Sequence, residues 1–175
     1  MKLALITVGS IVLLALVVYV IGALLPKSHR VSRSALYHAT QERLFSLISG
    51  PQDWRPDVAR FESLPDAANR YLVRETSRDG SIVTYELKQI TPLASLTRRI
   101  ATENLPYSGT WTYTLHREGA ATSVQITEDG EIYSPIFRFV SRFIMGKHGT
   151  IDSYLRALGK ATGEDVVTRC EEPGC

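Results

Sequence analysis

Two charged residues lie on the apolar phase of predicted strands and are the first candidates for chemistry inside the fold. Arg98 shares the phase of the apolar residues in the strand 96–102, and Glu128 shares that of the strand ending near 133. Because strand side chains alternate between faces, both are predicted to point inward. A buried unpaired charge is costly, so we expect each to contact the other, a ligand's polar group, or water. A bulge or strand end at Asp129-Gly130 would instead expose Glu128.

Histidine and cysteine spacing predicts no metal site. The four histidines are far apart, at 29, 38, 116 and 148, and both cysteines, Cys170 and Cys175, lie in the last six residues. These cysteines could pair with each other, pair between molecules, or stay reduced. His148 has a possible pocket role, because a histidine on the predicted helix there could meet a carboxylate. The alternative is a solvated helix residue.

The sequence contains no catalytic signature. We find no phosphate loop, nucleophile elbow, dinucleotide fingerprint or paired-histidine motif. It therefore predicts no metal or other cofactor and identifies no catalytic residue.

Aromatic side chains are the candidate walls of a cavity, since ligand pockets are mostly apolar and aromatic. The alternative is ordinary core packing. Together with Arg98, Glu128 and His148 they form the predicted ligand-binding set; the aromatic members are Trp54, Tyr85, Trp111, Tyr113, Phe139 and Phe143.

The elements that position these residues can be predicted from hydrophobic periodicity. A strand over 31–37 precedes a short helix over 41–48, for which Thr40 is a suitable N-cap. Further strands follow, at 58–64, 70–76, 82–91, 96–102, 110–115 and from about 124 to 133. Ser134 and Pro135 then start a long helix that runs to about 158.

Two glycines, Gly146 and Gly149, interrupt the long predicted helix, where we expect a bend or a close approach. Arg138, Arg142 and Lys147 share this helix with several phenylalanines. They could touch lipid head groups, or they could form an ordinary solvated face. After Gly163 the chain turns acidic and is predicted to be a flexible tail, 164–175.

The N-terminal segment predicts a membrane anchor over residues 1–26. Leu3 to Leu25 is 23 residues without a charge, and as a helix it spans about 34 Å, enough to cross a bilayer core of about 30 Å. The alternative is a cleaved secretory signal, whose apolar stretch is normally about 7–15 residues. Ala23-Leu24-Leu25-Pro26 is also a poor cleavage site. We expect a single-pass protein of the cell membrane; basic residues on both flanks leave its orientation open.

The charge balance argues against a nucleic-acid partner. The chain has 20 basic and 18 acidic residues, and four of the basic ones precede the first acidic residue. The remaining chain, with 16 basic and 18 acidic residues, is nearly neutral. Nucleic-acid binding usually needs a clustered basic surface.

An α+β domain over 27–163 follows from this order of elements, with a curved antiparallel sheet around a long C-terminal helix. Specific segments support a resemblance: Tyr37-His38-Ala39, the helix 41–48, Trp54-Arg55-Pro56, Gly109–Tyr113, the segment 127–131 and the helix 135–158. Over about residues 31–160 the chain resembles the START-like, helix-grip superfamily, also called SRPBCC or polyketide cyclase/dehydrase-like. A subgroup with an N-terminal membrane helix is especially similar.

The resemblance implies a pocket between the sheet and the C-terminal helix for lipids, polyketides or other hydrophobic molecules. We therefore expect a membrane-anchored binding module rather than an enzyme, with the bilayer and a small hydrophobic ligand as partners. Tethering places the pocket among its ligands. Two alternatives stay open: a cyclase/dehydrase-like enzyme with inward polar groups, and a protein-interaction factor with a filled interior.

Overall fold

The computed structural model describes residues 2–65, 70–146 and 148–171. Four α-helices and eight strands follow one another in this region: α1 (Lys2–Leu24), β1 (Ser28–Tyr37), α2 (Gln41–Ser49), β2 (Val58–Leu64), β3 (Tyr71–Ser77), β4 (Ile82–Thr91), β5 (Ser95–Ile100), β6 (Tyr107–Glu118), β7 (Ala121–Ile132), α3 (Pro135–Val140), α4 (Gly149–Thr162) and β8 (Arg169–Cys170).

The strands form one wide antiparallel sheet in the order β2-β3-β4-β5-β6-β7-β1-β8. Most connections are between neighbours, and β1 joins the sheet beside β7. The main core lies between one face of this sheet and the helices α2 and α4, and it contains Leu44, Leu96, Tyr113, Ile126 and Leu155. The predicted α+β class is confirmed, as is the single apolar helix at the N-terminus.

Local signals in the sequence explain α2. Thr40 accepts a hydrogen bond from the Arg43 backbone N–H at 3.3 Å, as an N-cap should. At the other end Gln52, fully buried, donates to the carbonyls of Leu47 and Gly50. These side-chain donors satisfy carbonyls that a helix C-terminus leaves without partners.

The C-terminal helix is not continuous, which corrects the prediction of one helix over 135–158. α3 covers only Pro135–Val140, with Ser134 as its cap, and a π-helical turn follows at Ser141–Met145. Gly146 then has φ +77°, a conformation that glycine adopts at little cost and that ends the helix. The expected bend is therefore a break, and α4 begins afresh at Gly149.

α3 packs against α1 rather than extending α4 along the core. Gly22 of α1 is buried there, and a Cβ at this position would lie 1.9 Å from the Pro135 carbonyl oxygen. The buried Arg138 guanidinium donates from Nη1 to the Leu25 carbonyl at 2.5 Å and the Ala23 carbonyl at 3.4 Å. These are carbonyls at the C-terminus of α1, where positive charge is also favourable.

Residues 164–171, in the segment predicted to be a flexible tail over 164–175, have defined contacts with the domain. The Glu164 carboxylate accepts hydrogen bonds from the backbone N–H groups of His38 and Ala39. Val166 packs on the core, and β8 pairs with β1. Cys175, the second of the tail cysteines, lies outside the described residues, as does Lys147.

Within the described chain, one helix is long and apolar enough to cross a membrane: Ile6–Leu24, in α1. Its side chains are largely exposed, so it is not a core helix of the domain.

Candidate functional site

A partly enclosed cavity of about 300 Å³ lies between the sheet and the broken C-terminal helix. Strands β4 to β7 supply one wall, and Phe137, Ser141, Gly146 and Thr150 supply the opposite one. His29, five residues beyond Leu24, the last residue of α1, is also part of the lining. The cavity is therefore next to the point where the chain leaves the apolar helix.

Three charged side chains form a network at this cavity. Arg98 donates from Nη2 to Glu75 Oε1 at 2.7 Å, and Arg55 donates from Nη1 to Glu75 Oε2 at 3.0 Å. Arg98 and Glu75 are each about 5% exposed. Two guanidinium groups share this carboxylate, and Arg55 also pairs with the exposed carboxylate of Asp57, so Arg98 has Glu75 as its only carboxylate partner among the described residues. Charge-assisted hydrogen bonds of this kind hold such groups in fixed positions.

Aromatic rings surround the network. The Arg98 guanidinium lies 4.9 Å from the ring centroid of Tyr85, and the Arg55 guanidinium lies 5.3 Å from that of Tyr154. Both distances are within the range of cation–π attraction. Burial raises the pKa of Tyr85, Tyr113 and Tyr154. At neutral pH these phenols are uncharged hydrogen-bonding groups.

Arg98 remains charged in this environment. Burial works to lower the pKa of its guanidinium, but Tyr113 and Glu75 beside it more than offset that, and the pKa is raised. Its Nε is buried and has no hydrogen-bond partner among the described residues. A charged donor without a partner is unusual in a protein interior.

Arg98 does not pair with Glu128, although both line the cavity. Arg98 is opposite Trp111 across β5 and β6, and Trp111 is opposite Glu128 across β6 and β7. The two charges are thus two strand spacings apart, roughly 10 Å, with an indole between them. Glu128 instead lies 3.4 Å from Nε2 of His29.

Five of the nine predicted ligand-binding residues line the cavity: Tyr85, Arg98, Trp111, Tyr113 and Glu128. The other four, Trp54, Phe139, Phe143 and His148, are not part of its lining. Trp54 donates its indole N–H to the Leu47 carbonyl and packs edge-on against Tyr154.

The break in the C-terminal helix explains why Phe139, Phe143 and His148 do not line the cavity. Phe139 of α3 and Phe143 of the π-helical turn pack on each other, with ring centroids 4.9 Å apart, and α3 packs against α1. His148 falls in the connection between the π-helical turn and α4, where its Nδ1 is buried without a hydrogen-bond partner in the described chain.

Glu75, Arg55 and Phe137 were not predicted to belong to this site. Glu75 had a usable signal, because it continues the phase of Tyr71 and Val73 in β3, as Arg98 and Glu128 do in their strands. Phe137 stacks on Tyr107 with centroids 5.7 Å apart. Nothing in the local sequence distinguishes it from Phe139.

The network of Arg98, Arg55 and Glu75 is suited to binding more than to proton transfer. Both Glu75 oxygens are engaged by guanidinium groups, so the carboxylate is a poor general base. The described residues contain no group of three or more His, Cys, Asp or Glu side chains that could hold a metal ion. The other groups at the cavity are the Arg98 guanidinium, neutral phenols, apolar surface and the pair of His29 and Glu128.

No family model matches the sequence, and no curated protein matches it either. Solved structures do match its fold. A START superfamily protein from Mycobacterium smegmatis superposes with a TM-score of 0.61 at 15% identity, over 77% of this chain and 97% of the other. The ZhuI aromatase/cyclase from Streptomyces sp. R1128 gives 0.60 at 15% identity, over 77% and 94%. Norcoclaurine synthase from Thalictrum flavum gives 0.59 at 11% identity, over 78% and 87%.

The chain therefore has the START-like, helix-grip fold that its motifs resemble. At these identities the likeness concerns the fold, and what the chain binds must be argued from its own cavity.

Proposed function

We propose that this chain is a membrane-anchored module that binds a lipid or other small hydrophobic molecule with a polar, acceptor-bearing end. The observation that carries the proposal is the 300 Å³ cavity itself, in which aromatic walls meet a buried guanidinium. Trp111, Tyr113 and Phe137 offer apolar surface, and Arg98 offers the positive charge of its guanidinium. A ligand with one polar end would satisfy both surfaces.

Anchoring is supported by the contacts of α1. If α1 were cleaved as a signal, the buried Arg138 side chain would lose its acceptors at the end of α1, the carbonyls of Ala23 and Leu25. It would also expose the surface of α3 that Gly22 covers. The packing between α1 and α3 is thus more consistent with a retained membrane helix.

The position of the cavity supports a membrane-soluble ligand. Its lining includes His29, close to the end of α1, so a bilayer crossed by α1 would lie near the cavity. A pocket held there meets a high local concentration of lipid-soluble molecules and needs little intrinsic affinity.

Ligand binding is tested on the full chain extracted in mild detergent. Native mass spectra should show co-purified lipid, and the protein should bind an NBD-labelled fatty acid. Ser141→Phe, which places a ring in the cavity wall, should abolish binding of the probe. Ser63→Phe, on the exposed surface of β2, is the matched control and should bind as wild type. Absence of lipid and of probe binding in wild type would refute the proposal, as would normal binding by Ser141→Phe.

The polar end of the ligand is tested with Arg98→Met. Loss of a charged hydrogen bond costs about 1.5–3 kcal/mol, so affinity for the anionic probe should fall on the order of tenfold to a hundredfold. Affinity for an uncharged NBD-labelled alcohol of the same length should fall much less. Equal losses for both probes would mean that Arg98 only supports the structure.

A second candidate is an enzyme acting on an apolar substrate, favoured by the convergence of Arg98, Glu75 and the neutral Tyr85. A guanidinium with phenols can stabilise a developing oxyanion. Mass analysis of the recovered ligand separates the two functions, because a binding module returns it unchanged. The third alternative, a protein-interaction factor, required a filled interior, and the presence of the cavity argues against it.

A further inference from the structure

Apolar side chains protrude from the outer side of α3 and the π-helical turn. Ile136, Phe143 and Ile144 are 54%, 60% and 72% exposed. Their spacing of seven and eight residues places them on one side of a helical segment. The inner side of the same segment, at Phe137 and Ser141, lines the cavity. The segment 135–145 therefore has two apolar sides, of which the outer has no partner among the described residues.

This segment is fixed to the end of α1. The close approach of Gly22 to Pro135 and the hydrogen bonds from Arg138 to the Ala23 and Leu25 carbonyls hold it there. The membrane-length part of α1, Ile6–Leu24, is about 28 Å long and close to the thickness of a bilayer core. With α1 across a bilayer, the segment lies at the level where the core ends.

Basic residues in and near the segment 135–145 suit a position at the boundary between the bilayer core and the head groups. Its two charged residues are Arg138, which is buried, and Arg142, which is exposed. Lys27 and Arg30 are exposed just after α1. Exposed apolar groups flanked by basic ones are typical of segments that lie in the interface of an anionic membrane.

We propose that the outer side of residues 135–145 is inserted in the membrane interface, with Phe143 and Ile144 among the lipid chains. The occupant of this surface is the bilayer, because α3 packs against α1, whose last side chains, such as Leu24, are apolar and exposed as well. The segment is then a wall that separates the cavity from lipid. This inference depends on the proposed anchoring, so its test measures the anchoring separately.

Fluorescence quenching by brominated lipid tests the depth of the segment. The full chain is reconstituted in vesicles of phosphatidylcholine and phosphatidylglycerol that carry bromine either near the head group or near the chain end. Single variants Phe143→Trp and Ile144→Trp report on the segment, and Leu14→Trp reports on α1. Ile82→Trp is the matched control, because Ile82 is 54% exposed and lies at the start of β4, after the turn that joins it to β3. The parent protein gives the contribution of Trp54 and Trp111.

Trp at 143 and 144 should lose fluorescence beyond the parent, with most loss when bromine is near the head group. Trp at 14 should lose most with bromine near the chain end, and Trp at 82 should match the parent. If position 14 is quenched while 143 and 144 match position 82, the segment does not contact lipid and the inference is wrong. If position 14 is not quenched, the anchoring itself fails and the inference falls with it.

Protection of both positions by a protein partner or a second copy is also an outcome that overturns the inference. It would appear as a blue-shifted Trp emission at 143 and 144 with no quenching by either lipid.

Discussion

Arg98 and Glu75 lie on β5 and β3, and their side chains meet at 2.7 Å across the intervening strand β4. Tyr85 of β4 lies against the Arg98 guanidinium between them. The pair is therefore a contact between strands that are not neighbours, and it fixes the polar end of the cavity.

Replacing Glu75 should destabilise the domain strongly. Glu75→Gln leaves the buried charge of Arg98 without its carboxylate, whereas Arg55 keeps Asp57. Removal of one partner of a buried ion pair costs about 3–5 kcal/mol. Guanidinium-induced unfolding of the full chain in micelles, followed by tryptophan fluorescence, measures the loss. Glu62→Gln breaks the exposed pair with Arg60 and should change stability by about 0–1 kcal/mol. Equal effects of the two substitutions would contradict a buried role for Glu75.

Replacing Arg138 should loosen the joint between α1 and α3. Arg138→Met keeps the length of the side chain but removes the donor to the Leu25 carbonyl. A buried acceptor left without a partner costs about 1–3 kcal/mol. Limited proteolysis in micelles should show faster cleavage near residues 25–27. Arg142→Met, at an exposed position of the π-helical turn, should be cleaved at the wild-type rate.

Adding one methyl group at Gly22 should lower the free energy of unfolding, whereas the same change at Gly9 should raise it. Gly22→Ala places a Cβ against the Pro135 backbone, and such overpacking costs about 1–3 kcal/mol. Gly9 has open space around it, so Gly9→Ala should gain roughly 1 kcal/mol of helix propensity. Thermal unfolding of both variants measures the difference, and a stabilised Gly22→Ala would mean that α1 and α3 are not in contact.

The buried tyrosines should make stability fall at alkaline pH. Burial raises the pKa of Tyr37, Tyr85, Tyr113 and Tyr154 in the folded chain. A phenol with a raised folded pKa gives its full stabilisation below its unfolded pKa, about 10, and loses it as pH rises further. Absorbance at the tyrosinate band should therefore show these four ionising together with the loss of circular dichroism. Their ionisation in a chain that keeps its dichroism would show that they are not buried.

The sequence predicted the strands, α2 and its cap because those signals are local. Thr40 precedes an amphipathic turn, and the alternation in β6 and β7 indicates which side chains face inward. The same alternation predicted that Arg98 is buried. It did not predict the partner, because pairing depends on which strands lie side by side and on the size of Trp111 between Arg98 and Glu128.

The break at Gly146 could not be predicted from hydrophobicity, because the three-and-four spacing of apolar residues continues through it. A positive φ angle leaves no trace in such a pattern, and α3 packs against α1 instead of continuing the direction of α4. The tail shows a similar effect. Its acidic composition suggests disorder, yet Glu164 accepts two backbone hydrogen bonds at the end of β1.

The joint at Arg138 determines how freely the domain can turn on its helix. Three residues, 25–27, separate α1 from β1, α3 packs against α1, and Arg138 donates to the Leu25 carbonyl. A domain on a long linker would turn freely on its helix, whereas these contacts hold the domain at a constant angle to α1. With α1 across a bilayer, as proposed, the same side of the domain would face the lipid head groups at all times, and a partner approaching from solution would meet only the opposite side.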